Sequence, residues 1–177
     1  DLGLRFSWSI SSCAPFGLVR TCRLEALDDR PVRVRYLDGW HQLIAPGITT
    51  YHTNNFSFLA LAYLRHDLQP RSQLGIFTLN AAISDRPYAA ESLRAAAAWS
   101  LGHRRPTVLL STRQLDAFRR GQRVVAEPEV RGDFGAYLVA DEVRVTARRP
   151  HTWLTVADTW LDHAALVELD ARLRAPT

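Results

Sequence analysis

The run LRFSWSIS, residues 4–11, alternates strictly, with Leu4, Phe6, Trp8 and Ile10 on one face and Arg5, Ser7, Ser9 and Ser11 on the other. A period of two predicts a half-buried strand. The turn sequence SCAPFG follows, and LVRTCRLEAL then sets Leu18, Cys22 and Leu24 against Val19, Thr21 and Arg23. DDRP makes a second turn, after which VRVRYLDG sets Val32, Val34 and Tyr36 against Arg33, Arg35 and Leu37. Three such strands joined by short Pro, Gly and Asp turns predict an antiparallel meander.

Residues 40–55 hold Pro46, Gly47 and the polar run TTYHTNN without a sustained period, which predicts a long loop of the kind that often carries function. FSFLALAYLRHDL (56–68) fits helical spacing or a buried strand; Asn54 or Asn55 as an N-cap favours helix. LGIFTLNAAIS (74–84) reads as a strand. In ESLRAAAAWSLG the four alanines favour helix while the flanking segments favour sheet. TVLLS predicts a short strand, and TRQLDAFRRG a helical turn with Thr112 as cap, Leu115 and Phe118 on one face, and Gly121 after its end. RVVAEPEV, FGAYLVADEVRVTA and TWLTVADTW predict three or four more strands, the second broken or bent near Asp141. Residues 161–175 predict a closing helix with Leu161, Ala165, Leu169 and Leu173 near one face. The tally is eight to ten strands and two or three short helices, with no βαβ rhythm. It predicts an all-β, mainly antiparallel sandwich.

Composition narrows the class. A chain of 177 residues with 47% hydrophobic and 23% charged residues fits one folded domain. Every one of the 22 basic residues is Arg, and the chain has no Met, even at position 1, so we expect a piece of a longer polypeptide. A net charge of +4 would suit an acidic partner, but the arginines are interleaved with 18 acids. The doublets Arg104-Arg105, Arg119-Arg120 and Arg148-Arg149 read as solvated faces, which argues against nucleic acid. Cys13 and Cys22 read as buried free thiols. Without a signal peptide, long apolar run or basic amphipathic helix, the expectation is a cytoplasmic protein with no membrane contact.

Candidate chemistry is sparse. His41, His52, His66, His103, His151 and His163 include no HxH or HExxH and no Cys at zinc spacing, so neither a metal nor another cofactor is expected. No GxSxG turn marks a nucleophile. The acid pairs Asp28-Asp29, Glu127/Glu129 and Asp141-Glu142 are explained by turns and solubility, so no catalytic residue is assigned. One region mixes aromatic faces with amide and imidazole groups, as sugar binding requires: Trp40, His41 and Gln42, with Tyr51, His52, Asn54 and Asn55 further along. These seven are the candidate substrate-binding residues. The competing reading makes Trp40 a core anchor.

The chain also resembles the N-terminal β-sandwich of the cellobiose phosphorylase family and its large bacterial relatives. The motifs are Phe6-Ser7-Trp8 for an FxW strand, Gly17-Leu18-Val19-Arg20-Thr21 for a GLVRT strand, and Tyr36-Leu37-Asp38-Gly39 for a VLDG strand. Gln42-Leu43-Ile44-Ala45-Pro46-Gly47 stands where those proteins have an NLLPYG-like loop. LGIFTLNAAISDRP, AAAAWSLG, VLLSTRQLDAFRRG and RGDFGAYLV are similar to the larger relatives. The resemblance implies a galactose-mutarotase-like supersandwich over residues 1–160 and a linker helix over 161–177, leading in the parent to an (α/α)6 barrel. It favours strand for residues 95–100. The family's catalytic acid and phosphate-binding residues lie in the barrel, so none transfers to this chain.

The leading expectation is a non-catalytic accessory sandwich of a large carbohydrate-active enzyme, glycoside phosphorylase or hydrolase-like, shaping a sugar cleft or a subunit interface. Its partners would be the remainder of the polypeptide, an oligosaccharide or a second copy in a homodimer. The alternatives are a stand-alone carbohydrate-binding module, or a mutarotase-like epimerase using His41 or His52 as acid or base.

Overall fold

In the computed structural model, which describes residues 2–55, 57–81 and 92–175, the first two alternating runs form a hairpin. Strand β1 (Leu4–Cys13) pairs antiparallel with β2 (Gly17–Ala26) from Leu4↔Ala26 to Cys13↔Gly17. Gly17 closes the three-residue loop at φ 69, and a Cβ there would meet the Ala157 carbonyl oxygen at 2.6 Å, so only glycine fits the turn.

The third strand, β3 (Val32–Leu43), does not continue the predicted meander. It crosses to a second sheet and pairs with β9 (Gly135–Val145), which in turn pairs with β7 (Thr107–Leu109). The first sheet has seven strands in the order β1-β2-β10-β6-β5-β4-β8. It is completed by β4 (Leu64–Leu68), β5 (Gly75–Leu79), β6 (Ala95–Leu101), β8 (Glu129–Arg131) and β10 (His151–Leu161). Every pairing among the described residues is antiparallel. Alternation reports which face of a strand is apolar and not which edge it joins. Val32 and Val34 therefore lie across the core from Cys22, Leu24 and Trp153 instead of beside them. The all-β sandwich is as predicted.

The inner core has two parts, one around Cys22, Leu24, Val143, Val145 and Trp153 and one around Phe77, Ala98, Val108, Tyr137 and Val139. Seven strands face three, so the inner side of β1 beyond Leu4 is left largely uncovered. Phe6, Trp8 and Ile10 are exposed where half-burial was predicted.

Other segments differ from prediction for local reasons. Residues 40–55 are not a loop throughout: β3 runs to Leu43, with Gln42 at φ 57 where the register shifts, and α1 (Thr50–Asn55) takes up the polar run. Residues 57–68 divide into α2 (Ser57–Tyr63) and the strand β4, with Asn54 and Asn55 inside α1 instead of capping the next helix. The alanine run is strand, because Ala96 and Ala98 line the inner core while Ala97 and Trp99 are covered from outside, and burial on both faces overrides helix propensity. Strand β9 passes Asp141 unbroken. Of residues 123–130 only the end joins a strand, and Glu127 instead accepts N–H bonds from Leu110 and Ser111. Helix α3 (Leu115–Arg119) has Gln114 and not Thr112 at its N-cap, with Gly121 beyond its end at φ 80. Of the strand predicted over 74–84, β5 takes Gly75–Leu79, while Ala82, Ile83 and Ser84 lie outside the described residues.

Helix α4 (His163–Arg174) starts at Asp162, whose carboxylate accepts the Ala165 N–H at 3.0 Å. Its Leu166, Leu169 and Leu173 lie on Ala97, Trp99 and Val156, sealing the outer face of the large sheet. Among the described residues no helix is long and apolar enough to cross a membrane.

Candidate functional site

The inward parity of β2 and β3 carries two charges among apolar neighbours, Arg20 between Leu18 and Cys22 and Asp38 between Tyr36 and Trp40. They meet across the sandwich, Arg20 Nη2 lying 2.8 Å from Asp38 Oδ1. Arg20 also donates to the Gly39 carbonyl at 3.1 Å. The second Asp38 oxygen accepts Trp153 Nε1–H at 2.8 Å and the Cys22 thiol at 3.4 Å. One carboxylate of the small sheet thus holds three side chains of the large sheet. Beside Asp38, the close approach of β3 to β9 needs Gly39, whose φ is +156 and where a Cβ would lie 1.9 Å from the Tyr137 carbonyl oxygen.

A second polar group lies one step along β3. The Tyr36 hydroxyl stands 2.8 Å from His103 Nδ1 and 3.0 Å from His151 Nε2, so it donates to one imidazole and accepts from the other. Asp141, opposite Tyr36 in the register, lies 3.9 Å from His103 Nδ1 and accepts the Arg104 and Glu142 backbone N–H groups. The Trp153 ring stacks on Tyr36 at 4.5 Å and links the two groups.

The electrostatics make these groups poor acids and bases. Burial drives the His103 pKa down to about 4 and lowers that of His151. Burial first, then the Asp38 charge, pushes the Cys22 thiol up to about 12, and burial with Asp141 and Asp38 raises the Tyr36 phenol. At neutral pH the imidazoles are uncharged and the thiol and phenol are protonated. The arrangement clamps two sheets together and offers no thiolate nucleophile.

The clamp borders a ledge. Phe6, Trp8 and Ile10 lie on the inner side of the edge strand β1, with Leu18 beside them. Phe6 stacks on Trp153 at 5.9 Å, and the Arg20 guanidinium lies 5.6 Å from the Trp8 ring centroid.

The seven sequence-predicted residues are dispersed. Trp40 points inward and packs against the Phe77–Tyr137 core, its Nε1 buried without a hydrogen-bond partner among the described residues. His41 and Gln42 are exposed near the end of β3. Tyr51, His52, Asn54 and Asn55 are on α1, where Asn55 Nδ2 donates to the Tyr51 carbonyl and His52 Nδ1 accepts from Thr49 N–H at 3.2 Å. Arg20, Tyr36, Asp38, His103, Asp141, His151 and Trp153 escaped the sequence reading. A legible signal existed for two of them, a charge at an inward parity position on each of two otherwise apolar strand faces.

Among the described residues no group of three or more His, Cys, Asp or Glu side chains is placed to hold a metal ion. Comparison with known proteins gives no family model that matches the chain and no matching curated protein.

Proposed function

We propose that the chain is a non-catalytic accessory β-sandwich of a larger carbohydrate-active enzyme, with the β1 ledge as the surface that meets the rest of that enzyme. One observation carries the reading: the titratable groups gathered between the sheets are closed in and uncharged or paired, whereas the uncovered inner face of the edge strand β1 carries three large apolar side chains in a row. Phe6, Trp8 and Ile10 are 48%, 58% and 49% exposed on a single strand face. Side chains of that size in a contiguous row mark a contact surface more than a reaction centre. The carbohydrate context comes from the resemblance of the FxW, GLVRT and VLDG strands, whose inward residues Trp8, Arg20 and Asp38 build the clamp and ledge.

The 177-residue chain, incubated with cellobiose and longer β-glucans with and without inorganic phosphate, is expected to release neither free sugar nor sugar phosphate. Turnover would overturn the reading. An immunoblot of the source cells with antibody raised to the chain is expected to detect a polypeptide several times larger than 20.0 kDa. The exposed Trp8 ring favours one second reading, a glycan platform acting alone. Saturable quenching of tryptophan fluorescence by cello-oligosaccharides, lost in Trp8→Ala, would select it.

A further inference from the structure

The outer face of the small sheet carries a groove of about 900 Å³ that none of the preceding roles uses. Arg33, Arg35, Arg104, Arg105 and Arg123 line it, together with the Phe118 ring of α3. They arrive from three places in the chain: the outward positions of β3, the turn between β6 and β7, and the segment after α3.

Two acidic residues, Glu142 and Asp141, share the lining, the Asp141 carboxylate itself lying buried beside His103. Glu142 is engaged by Arg33, and the Asp141 oxygens accept the Glu142 and Arg104 backbone N–H groups. Among the described residues twelve arginines pair with an acid, as Arg5 does with Glu25, Arg94 with Asp162 and Arg172 with Glu168, and nine do not. Arg35, Arg104, Arg105 and Arg123 form no ion pair among the described residues. Five arginines against two carboxylates place three of the chain's four excess positive charges in one concavity.

Like charges gathered in a concave site repel one another until an anion enters, and a concavity focuses their field. Guanidinium groups present planar N–H forks that match phosphate oxygens two at a time. Arg35 is already oriented, its guanidinium 5.1 Å over the Phe118 ring, so its plane is set and less side-chain freedom is lost on binding.

We propose that this groove binds a small phosphate-bearing anion, either a free oligophosphate or the phosphate ester of a small organic molecule. Its volume falls in the range of small-ligand sites, and its mixture of arginines with one aromatic face suits a charged group attached to a compact body. The inference is independent of the accessory-domain reading and stands or falls separately from it.

Isothermal titration of the 177-residue chain with sodium pyrophosphate, and separately with fructose 1,6-bisphosphate, tests it. Each is expected to bind saturably, with affinity falling several-fold between about 50 and 200 mM salt. Arg104→Ala with Arg123→Ala is expected to weaken binding about tenfold or more, and the double Lys variant about threefold, because an ammonium keeps charge but not the fork. Removing equal charge elsewhere, with Arg148→Ala and Arg149→Ala, should leave affinity within about twofold if the groove and not net charge is read. Stronger binding of the bisphosphate identifies an organic ester lying on Phe118, and equal binding identifies the phosphate groups alone. All variants alter exposed side chains, and circular dichroism verifies their folding. Failure of both probes to bind at about 5 mM, or equal weakening by the distant pair, overturns the proposal. So does binding of single-stranded DNA or phosphatidylserine vesicles through Arg104 and Arg123 while both small phosphates stay unbound.

Discussion

Replacing Asp38 by Ala removes a carboxylate that joins the two sheets. Its side chain is 13% exposed and that of Arg20 17%, so the pair sits well away from bulk solvent. The substitution deletes an ion pair at 2.8 Å and the hydrogen bond that the Trp153 indole donates to the same carboxylate at 2.8 Å, and it strands a half-enclosed guanidinium and an indole N–H. Breaking one side of a buried pair costs about 3–5 kcal/mol, most of it the penalty on the charge left behind. The orphaned indole adds about 1 kcal/mol, while the Gly39 carbonyl still serves Arg20 and limits the total, so we expect about 3–5 kcal/mol overall. For a domain of this size that lowers Tm by roughly 6–20 °C. Urea unfolding followed by tryptophan fluorescence measures the loss. Arg20→Ala and the double variant complete a cycle in which the double should cost clearly less than the sum of the singles, because neither charge is then abandoned. A loss below about 1 kcal/mol for Asp38→Ala, or strictly additive singles, would refute the clamp.

Three further outcomes follow from the same geometry. His103 titrates near 4 in the folded protein and near its ordinary 6.5 when unfolded, so between those values only the unfolded chain takes up the proton; stability is full above about pH 7 and falls as pH drops from 6.5 towards 4, with His151 acting in the same direction. Unfolding free energy measured against pH should show this acid limb, shallower in His103→Asn. Cys22, buried and protonated, should resist iodoacetamide at pH 8 in the folded chain and react only on unfolding, as peptide mapping would reveal; fast labelling of the native thiol would contradict its burial. Gly39→Ala drives a methyl group into the Tyr137 carbonyl and should cost about 3 kcal/mol or more, against about 0.5 kcal/mol for an Ala at the open Gly132 beyond its backbone strain; similar urea midpoints for the two would show that β3 and β9 do not approach so closely.

The alternating runs made strands legible because a period of two survives whatever the strand later pairs with. Leu4, Leu18 and Val32 each mark the apolar side of a real strand. Pairing was not legible, since Val32 and Val34 satisfy a neighbouring strand and a facing sheet equally well, and only the narrow second sheet decided between them. The same narrowness exposes Phe6, Trp8 and Ile10, whose alternation alone implied burial. For Ala95–Leu101 propensity pointed to helix, and burial between the inner core and α4 decided for strand.

The candidate site was hidden for a related reason. Its residues are brought together by contacts such as Tyr36 to His151, 115 positions apart, which leave no local spacing to find. The aromatic and polar run from Trp40 to Asn55 looked richer because its residues are close in sequence, yet Trp40 faces the core and Tyr51 lies on α1. The Arg104-Arg105 doublet read as solvated surface until β3 and the segment after α3 supplied Arg33, Arg35 and Arg123 beside it.

On the proposed function, this sandwich supports chemistry performed elsewhere in a longer polypeptide. The direct measurement is glycoside turnover, with and without inorganic phosphate, by the product of the entire reading frame that contains these 177 residues and by the chain alone, in parallel. Turnover is expected from the former and none from the folded chain. Turnover by the chain alone, or a reading frame that encodes nothing further, would contradict it.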